Sequence, residues 1–267
     1  MIVGIIPAAG KGARLRPITD FIPKELLLYG SKPFLGHCID ALRDAGVGGA
    51  VIVVGQQKGV LMDYAKDGKK FGVDISYSYQ VEPKGLGDAV LCAESKVGDA
   101  EAVFVLLGDD VVKPSAELRE LRELYASKKP FGVILVEERD DPSKFGVVRM
   151  RDFNGKVGIV EEFFEKPDEV ERKRFETNGK YHVICGAYVL SKGIFGYIRG
   201  TPAGKNGELQ LTDALQRAVK DGERILAFRL SGKRVEIGTP ENYLMEQYKF
   251  FKDKSEKDIE KLAKEWG

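Results

Sequence analysis

Short apolar runs alternate with amphipathic segments along the first half of the chain. Three runs are apolar throughout and predict strands that are buried on both faces, namely Ile2–Ile6, Ala50–Val54 and Ala102–Leu107. Asp74–Tyr79 alternates like a half-exposed strand, and helices are predicted from Lys32 to Gly46 and over Val60–Lys66, Gly87–Ser95 and Ser115–Tyr125. Strands that alternate with helices predict an α/β fold with a doubly wound, mostly parallel sheet.

The pattern becomes richer in strands after Pro130, and Asn154-Gly155 is a hairpin signal. The predicted strands are Phe131–Val136, Phe145–Met150, Lys156–Glu162, Tyr181–Leu190, Arg224–Leu230 and Arg234–Ile237. The predicted helices are Asp168–Glu176, Gly207–Asp221 and a single long one, Glu241–Trp266. Because the sequence contains no repeat or linker, we expect this half to form a lid on the same sheet rather than a separate domain.

A glycine-rich loop follows the first predicted strand. Its small residues let the backbone approach a ligand closely and turn N–H groups towards it. They are Ala8, Ala9, Gly10 and Gly12. Arg14, Arg16 and Lys24 follow, and these cations suit a ligand that carries several phosphates. The loop therefore predicts phosphate chemistry.

Two common phosphate-binding motifs do not fit this loop. The dinucleotide motif G-x-G-x-x-G requires glycine where Leu15 stands. The P-loop requires serine or threonine directly after its lysine, whereas Lys11 is followed by Gly12. These mismatches disfavour a nicotinamide-dependent enzyme and a P-loop kinase.

Asp109 and Asp110 directly follow a predicted buried strand. Ligands of doubly wound sheets lie at the carboxyl ends of the strands, so the loops after Ile6, Tyr79 and Leu107 are expected to share one edge. Mg²⁺ is commonly held by one or two carboxylates together with substrate phosphates. A turn built on glycine and aspartate is the alternative, and the neighbouring glycine loop favours the metal.

Other candidate residues give weaker signals on their own. The amide of Gln80 can match the imide edge of uracil or thymine, with a backbone group of Gly85 beside it. Glu165-Lys166 is more typical of a solvated charge pair at the end of a strand. Glu208 stands at the start of a predicted helix, where it either stabilises the helix dipole or contacts a ligand.

Taken together, these motifs resemble the sugar-1-phosphate nucleotidyltransferases, and among them the bacterial-type UTP–glucose-1-phosphate uridylyltransferases. The similarity runs from Ile2 to about Tyr248 in the family's order and spacing. The segments that carry it are 5–27 (IIPAAGKGARLRPITDFIPKELL), 82–99 (EPKGLGDAVLCAESKVGD), 105–112 (VLLGDDVV), 165–167 (EKP) and 207–215 (GELQLTDAL).

The resemblance implies a Rossmann-like nucleotidyltransferase fold formed by a single domain, 1–267. It implies a nucleotide-binding half at about 1–130, a sugar-phosphate-binding half at about 131–240 and a C-terminal helix at 241–267. The implied activity is Mg²⁺-dependent transfer from UTP to glucose 1-phosphate by in-line attack, which gives UDP-glucose and pyrophosphate. No protein nucleophile is needed, so the side chains position the reactants and neutralise charge.

The resemblance also implies roles for individual residues. The implied catalytic residues are Arg14, Lys24 and Lys166. The implied nucleotide-binding residues are Ala8, Ala9, Gly10, Gly12, Gln80, Gly85 and Asp109. The implied sugar-phosphate-binding residues are Gly146, Glu165, Lys166 and Glu208. The implied metal ligands are Asp109 and Glu236, although the family usually has the shorter aspartate at the second position.

Two alternative functions remain open. Glucose-1-phosphate thymidylyltransferases share the glycine loop, and Gly238-Thr239-Pro240 resembles that branch, whereas segments 22–25 and 82–87 favour the uridylyl branch. A non-catalytic subunit that senses nucleotide or sugar is also conceivable for this fold. It would be expected to lack the carboxylate or the loop arginine, and both Asp109 and Arg14 are present.

Composition narrows the choice of partners and compartment. The 267 residues include 42 basic and 41 acidic ones, so no net charge favours nucleic acid or an acidic membrane surface. No apolar run approaches the ~20 residues that a membrane span needs. Cys38, Cys92 and Cys185 are widely spaced and predict reduced thiols in the cytoplasm. We expect small-molecule substrates and a homo-oligomer, with the C-terminal helix as a possible contact.

Overall fold

A computed structural model describes residues 1–204 and 207–264. The strands are β1 (Ile2–Pro7), β2 (Leu28–Tyr29), β3 (Lys32–Pro33), β4 (Gly49–Val54), β5 (Asp74–Tyr79), β6 (Ala102–Leu106), β7 (Asp110–Lys113), β8 (Gly132–Arg139), β9 (Gly146–Arg151), β10 (Val157–Glu165), β11 (Glu176–Thr177), β12 (Lys180–Ser191), β13 (Ile225–Arg229) and β14 (Lys233–Glu236). The helices are α1 (Phe34–Asp44), α2 (Gly59–Ala65), α3 (Leu86–Cys92), α4 (Ala116–Lys128), α5 (Ile194–Gly200), α6 (Leu211–Lys220), α7 (Pro240–Phe251) and α8 (Glu256–Lys264).

Within the described ranges, one ten-stranded sheet runs through both halves of the chain in the order β5-β4-β1-β6-β12-β8-β13-β10-β9, with β11 paired to β12. Strands β5, β4, β1 and β6 are parallel to one another, as are β8 and β13. Strand β12 is antiparallel to both β6 and β8, and β10 is antiparallel to β13 and β9. The α/β class is confirmed, and the sheet is mixed because hairpins replace helical crossovers in the second half.

Helices cover both faces of this sheet, which is the doubly wound arrangement. On one face, α1, α2 and α4 bury side chains such as Leu42, Leu61 and Leu121. On the other, α3, α5 and α6 bury side chains such as Val90 and Ile198. Because parallel strands are covered on both sides, their sequences are continuously apolar, as in β6 (AVFVL).

Two helix predictions in the second half differ from the structure, one in its starting residue and one in the type of helix. The helix predicted from Gly207 begins only at Leu211, because Leu209 is held in an extended loop. Its N–H donates to Lys84 O at 2.7 Å and its carbonyl accepts from Gly87 N at 2.8 Å. The helix predicted over Asp168–Glu176 is a short 3₁₀ turn over Glu171–Phe175, since the chain then extends into β11.

The C-terminal segment forms two helices rather than the predicted single one. Helix α7 ends at Phe251, and Ser255, directly before the first residue of α8, forms a reciprocal cap with Asp258. Its backbone N–H donates to Asp258 Oδ2 at 3.0 Å, and its hydroxyl oxygen accepts from Asp258 N at 3.3 Å. Trp266, the predicted end of the helix, lies outside the described residues. Across the part of the chain that the structure describes, no helix has both the length and the apolarity that a bilayer crossing requires.

Truncating a helix side chain beneath the sheet should destabilise the fold measurably. Ile198 is fully buried in α5, so Ile198→Ala is expected to lower the free energy of unfolding by about 2–5 kcal/mol through lost burial and a residual cavity. Ile259→Ala is the matched control, because Ile259 of α8 is 45% exposed and should change little. Urea unfolding monitored by circular dichroism measures both, and equal midpoints would contradict this packing.

Candidate functional site

A cavity of about 490 Å³ opens at the carboxyl ends of the parallel strands and is lined by both halves of the chain. It brings together five of the predicted site residues: Arg14, Asp109, Gly146, Glu165 and Glu236. Two elements far apart in sequence, β6 and β10, therefore direct their ends towards one space. The predicted meeting of the loops at this edge is confirmed for Arg14 and Asp109.

A second cavity of about 420 Å³ lies at the ends of β1, β4 and β5. Its lining includes Ala9 and Gln80 among the predicted nucleotide-binding residues, together with Lys11 and Lys58. Ala8 has a different role from the one expected of the loop residues. Its N–H donates to Val53 O at 2.8 Å, so this group belongs to the sheet edge and does not point at a ligand.

Glycines shape the loops around this second cavity. Gly12 has φ +67°, and a Cβ there would lie 2.8 Å from Thr19 Cγ2, while Thr19 Oγ1 donates to Gly12 O at 2.8 Å. Gly85 has φ +110°, and a Cβ there would lie 2.5 Å from Leu209 O. Both positions therefore require glycine for the backbone itself. At Gly10 a Cβ would meet only the Lys24 side chain, at 3.9 Å, so this position is roomy.

Lys24 and Asp109 form an ion pair between the first loop and the end of β6. The distance from Lys24 Nζ to Asp109 Oδ2 is 2.5 Å, and the two side chains are 21% and 20% exposed. Burial opposes ionisation of the carboxyl, but the Lys24 ammonium outweighs it and holds the pKa of Asp109 below its ordinary value. Asp109 is therefore an anion on the cavity wall, with one oxygen already held by a cation.

A second ion pair, between Glu25 and Lys58, lies beneath the first loop. Lys58 Nζ lies 2.6 Å from Glu25 Oε2, and both side chains are buried. Burial raises the pKa of Glu25 against the opposing effect of Lys58, and Glu25 Oε1 has no hydrogen-bond partner among the described residues. This pair joins the loop after β1 to the loop after β4, and no motif in the sequence marks it.

Gln80 is buried and oriented by its neighbours. Its Nε2 donates to Asp88 Oδ2 at 2.6 Å and to Gly85 O at 3.4 Å. An ionised carboxylate only accepts hydrogen bonds, so Asp88 fixes which end of the amide is the donor. The sequence therefore placed the amide correctly beside Gly85, but Asp88 was not identified.

Glu165 and Gly146 lie opposite each other on the paired strands β10 and β9. Thr212 Oγ1 donates to Glu165 Oε2 at 2.7 Å. A Cβ at Gly146 would lie 3.0 Å from that hydroxyl and 3.1 Å from the carboxylate, so glycine leaves this wall open. Thr212, in the first turn of α6, was missed because its contact with Glu165 joins two distant segments.

Lys166 and Glu208 do not line the main cavity. Lys166 has φ +48°, and its N–H donates to Phe145 O at 3.0 Å, while its Nζ lies 3.4 Å from Glu165 Oε1. Glu208 precedes α6 by three residues and accepts a hydrogen bond from Gln210 Nε2 at 2.5 Å. A role at the helix dipole is therefore wrong for Glu208, since it lies in the extended loop.

Glu236 lies in the main cavity between two arginines, Arg139 and Arg234, that belong to no motif in the sequence. Its Oε2 is 2.6 Å from Arg234 Nη2 and its Oε1 is 3.4 Å from Arg139 Nη2. Burial raises the pKa of the neighbouring Asp110 to about 7, although Arg234 opposes this effect. Both arginines line the cavity. Among the described residues there is no cluster of three or more potential metal ligands.

The fold and the site are those of an α/β enzyme that handles phosphate esters at the carboxyl edge of its sheet. The nucleotidyl transferase family model matches residues 3–253. The chain therefore belongs to the nucleotidyl transferase family, as the motifs predicted.

Proteins with similar sequences include two that are named UTP–glucose-1-phosphate uridylyltransferases. The chain is 33% identical to the UTP–glucose-1-phosphate uridylyltransferase of Bacillus subtilis, over 95% of its own length and 92% of the relative's. It is 32% identical to that of Haloferax volcanii, over 89% and 92% of the two lengths. A solved UDP-glucose pyrophosphorylase complexed with UDP-glucose superimposes with a TM-score of 0.84 at 31% identity, covering 95% of this chain and 100% of the other.

Breaking the buried ion pair beneath the first loop should destabilise the protein. Lys58→Met leaves the Glu25 carboxylate buried without its cation, which costs about 3–5 kcal/mol for pairs of this kind. Adding Glu25→Gln should restore part of the loss, because the stranded charge is then removed. Lys69→Met is the control, since the Lys69–Asp67 pair is exposed and its loss should have no measurable effect. Thermal unfolding compares the four proteins, and a double variant less stable than Lys58→Met would contradict the assignment.

Proposed function

We propose that this enzyme transfers a uridylyl group from UTP to glucose 1-phosphate and forms UDP-glucose and pyrophosphate. The observation that carries the proposal is the shared cavity, in which Arg14 and Asp109 of the first half face Gly146 and Glu165 of the second. A reaction between two phosphate esters requires such a space between a nucleotide site and a sugar-phosphate site. The names of the similar proteins supply the substrates.

The chemistry follows from the charges of the reactants. A phosphate oxygen of glucose 1-phosphate attacks the α-phosphorus of UTP in line, the bond to the β-phosphate oxygen breaks, and pyrophosphate leaves. Both reactants are anions, so the enzyme holds them in line and neutralises charge. Arg14 is exposed to the cavity, and no ion-pair partner for it occurs within the described ranges, so its guanidinium is available to the leaving pyrophosphate.

Asp109 is the carboxylate best suited to hold a divalent cation, Mg²⁺ in the predicted reaction. It is ionised, partly exposed, and placed on the cavity wall. A bound Mg²⁺ would supply charge neutralisation at the reacting phosphates. Lys24 holds the other side of the carboxylate and fixes its orientation. The role of Glu236 as a second ligand remains a prediction, and both of its oxygens face arginines.

Base and sugar recognition are assigned to opposite ends of the site. We assign the base to Gln80 and Gly85, because Asp88 and Gly85 O engage the NH2 group of Gln80 and leave its oxygen to accept a hydrogen bond from the imide N–H of uracil. Ala9, Gly10 and Gly12 bring the loop backbone close to the nucleotide phosphates. Glu165, held by Thr212, is placed to accept hydrogen bonds from sugar hydroxyls against Gly146. Lys166, whose Nζ lies 3.4 Å from Glu165 Oε1, and Glu208 remain predicted contacts of the sugar phosphate.

We also propose that the enzyme works in the cytoplasm as a homo-oligomer. The three cysteines are free thiols, which is typical of a reducing compartment. Helix α7 exposes Leu244, Met245 and Tyr248, which are 64%, 51% and 64% exposed. Apolar side chains grouped in this way favour a contact between subunits.

Pyrophosphate release tests the proposed reaction. The purified enzyme with Mg²⁺ and glucose 1-phosphate is expected to release pyrophosphate with UTP, and Asp109→Asn should abolish the release. Parallel reactions with dTTP, CTP, ATP and GTP measure the choice of base. Faster release with dTTP would indicate a thymidylyltransferase, and no release with any nucleotide despite UTP binding would indicate a sensing subunit.

Removing the loop arginine should slow the reaction without unfolding the protein. Arg14→Ala is expected to lower kcat about 10²–10³-fold, the scale for losing one preorganised charge-stabilising donor. Arg199→Ala is the control, because Arg199 pairs with Glu94 on the surface of α5. Steady-state kinetics with UTP measures both variants, and an unchanged kcat for Arg14→Ala would refute its role at the leaving group.

A further inference from the structure

Arg234 is a buried arginine at the wall of the main cavity. Its side chain is only 3% exposed and makes ion pairs with three carboxyl groups. Its Nη1 lies 3.4 Å from Asp110 Oδ2, its Nε 3.2 Å from Glu137 Oε1, and its Nη2 2.6 Å from Glu236 Oε2. The guanidinium also lies 5.1 Å from the centre of the Phe145 ring. A cation so placed is fixed in position and permanently charged.

Strand pairing explains why a cation is needed there. In the two-stranded sheet of β7 and β14, Glu236 lies directly opposite Asp110. Carboxyl groups opposite each other across an antiparallel pair repel when both are ionised. Arg234 stands two residues before Glu236 and therefore on the same face of β14, where its guanidinium reaches both groups. The Arg234 guanidinium thus offsets the repulsion between the carboxyl groups of Asp110 and Glu236.

Glu236 is poorly placed for a metal ion in this arrangement. One of its oxygens faces Arg234 and the other faces Arg139, whose Nη2 is 3.4 Å away. A metal ligand at this position would have to give up one of these contacts, and a divalent cation beside Glu236 would be repelled by the Arg234 charge. Asp109 differs, since within residues 1–204 and 207–264 it forms one ion pair, with Lys24 through one oxygen, and it faces the cavity.

We propose that Arg234 is a permanent cation of the site that pairs with Glu236, the second predicted metal ligand. Asp109 then holds the divalent ion without Glu236. Glu236 then serves to hold Arg234, and the guanidinium provides a positive charge that stays at this end of the cavity throughout turnover. The proposal rests on the proposed function, because it concerns the metal site of that reaction. It departs from the pair of acidic ligands that the sequence predicted.

Metal affinity separates the two roles without measuring turnover. Mn²⁺ replaces Mg²⁺ and is titrated into enzyme saturated with UDP-glucose, and electron paramagnetic resonance records the free Mn²⁺. Asp109→Asn is expected to weaken Mn²⁺ binding at least tenfold, whereas Glu236→Gln should leave the affinity within about twofold, because Glu236 contributes no ligand to the ion in this assignment. A loss with Glu236→Gln as large as that with Asp109→Asn would overturn the proposal.

The outcome also distinguishes this proposal from the proposed function. If wild-type enzyme neither binds Mn²⁺ in the presence of UDP-glucose nor releases pyrophosphate from UTP, the proposed reaction fails and the assignment of Arg234 fails with it. If wild-type enzyme binds Mn²⁺ and turns over but Glu236→Gln loses the ion, only the assignment of Arg234 is wrong.

Stability tests the second part, that Glu236 holds Arg234. Arg234→Met should lower the melting temperature strongly, because it leaves buried carboxylates without their cation. Combining it with Glu236→Gln should raise the melting temperature above that of Arg234→Met alone, since one stranded charge is removed. Arg149→Met with Glu161→Gln is the matched control, a partly exposed pair on neighbouring strands that should show additive effects. Additive effects at Arg234 and Glu236 would overturn this part, and if Arg234→Met does not fold, the Mn²⁺ titration still decides the first.

Discussion

The antiparallel pairing of β12 with β6 is the contact on which the site depends. Strand β6 is the last parallel strand of the first half, and β12 pairs with it from Ala187 opposite Leu106 to Ser191 opposite Ala102. Leu107 N also donates to Gly186 O at 3.0 Å, just before Asp109. Strand β8 occupies the other edge of β12, whereas β9 follows β6 along the same edge and pairs with His182 and Val183, so this register places the ends of β9 and β10 beside Asp109. The cavity exists because one sheet crosses both halves of the chain.

Charge neutralisation is the second constraint on this edge of the sheet. The carboxylates gathered there would repel one another and lose hydration on burial, and three of them are paired with a cation. The pairs are Asp109 with Lys24, Glu25 with Lys58, and Glu236 with Arg234. Glycine at position 186 leaves room for the Asp110 carboxyl group, because a Cβ there would lie 2.6 Å from Asp110 Oδ2. In the substrate-free site, the carboxylates are thus already paired with lysine and arginine side chains.

Much of this molecule could be predicted from local patterns. Buried parallel strands are apolar throughout, and the loops that follow them contain the glycines, Arg14 and Asp109, so strand and loop positions were predicted together. The errors arose where tertiary contacts override local preference. The backbone of Leu209 forms hydrogen bonds with Lys84 and Gly87, so α6 begins only at Leu211. Ser255 caps the start of a new helix at a point where the periodicity of charges alone predicts that the preceding helix continues.

The sequence by itself determined the fold class, the family and the edge of the sheet where chemistry occurs, because these depend on residues that are neighbours along the chain. Only the tertiary structure decided which charges meet. Lys24 and Asp109 are 85 residues apart, and Arg234 and Asp110 are 124 apart. A lysine or arginine is usually exposed, so nothing local marks Arg234 as buried. Its burial follows from the pairing of β14 with β7, which brings three carboxyl groups around one guanidinium.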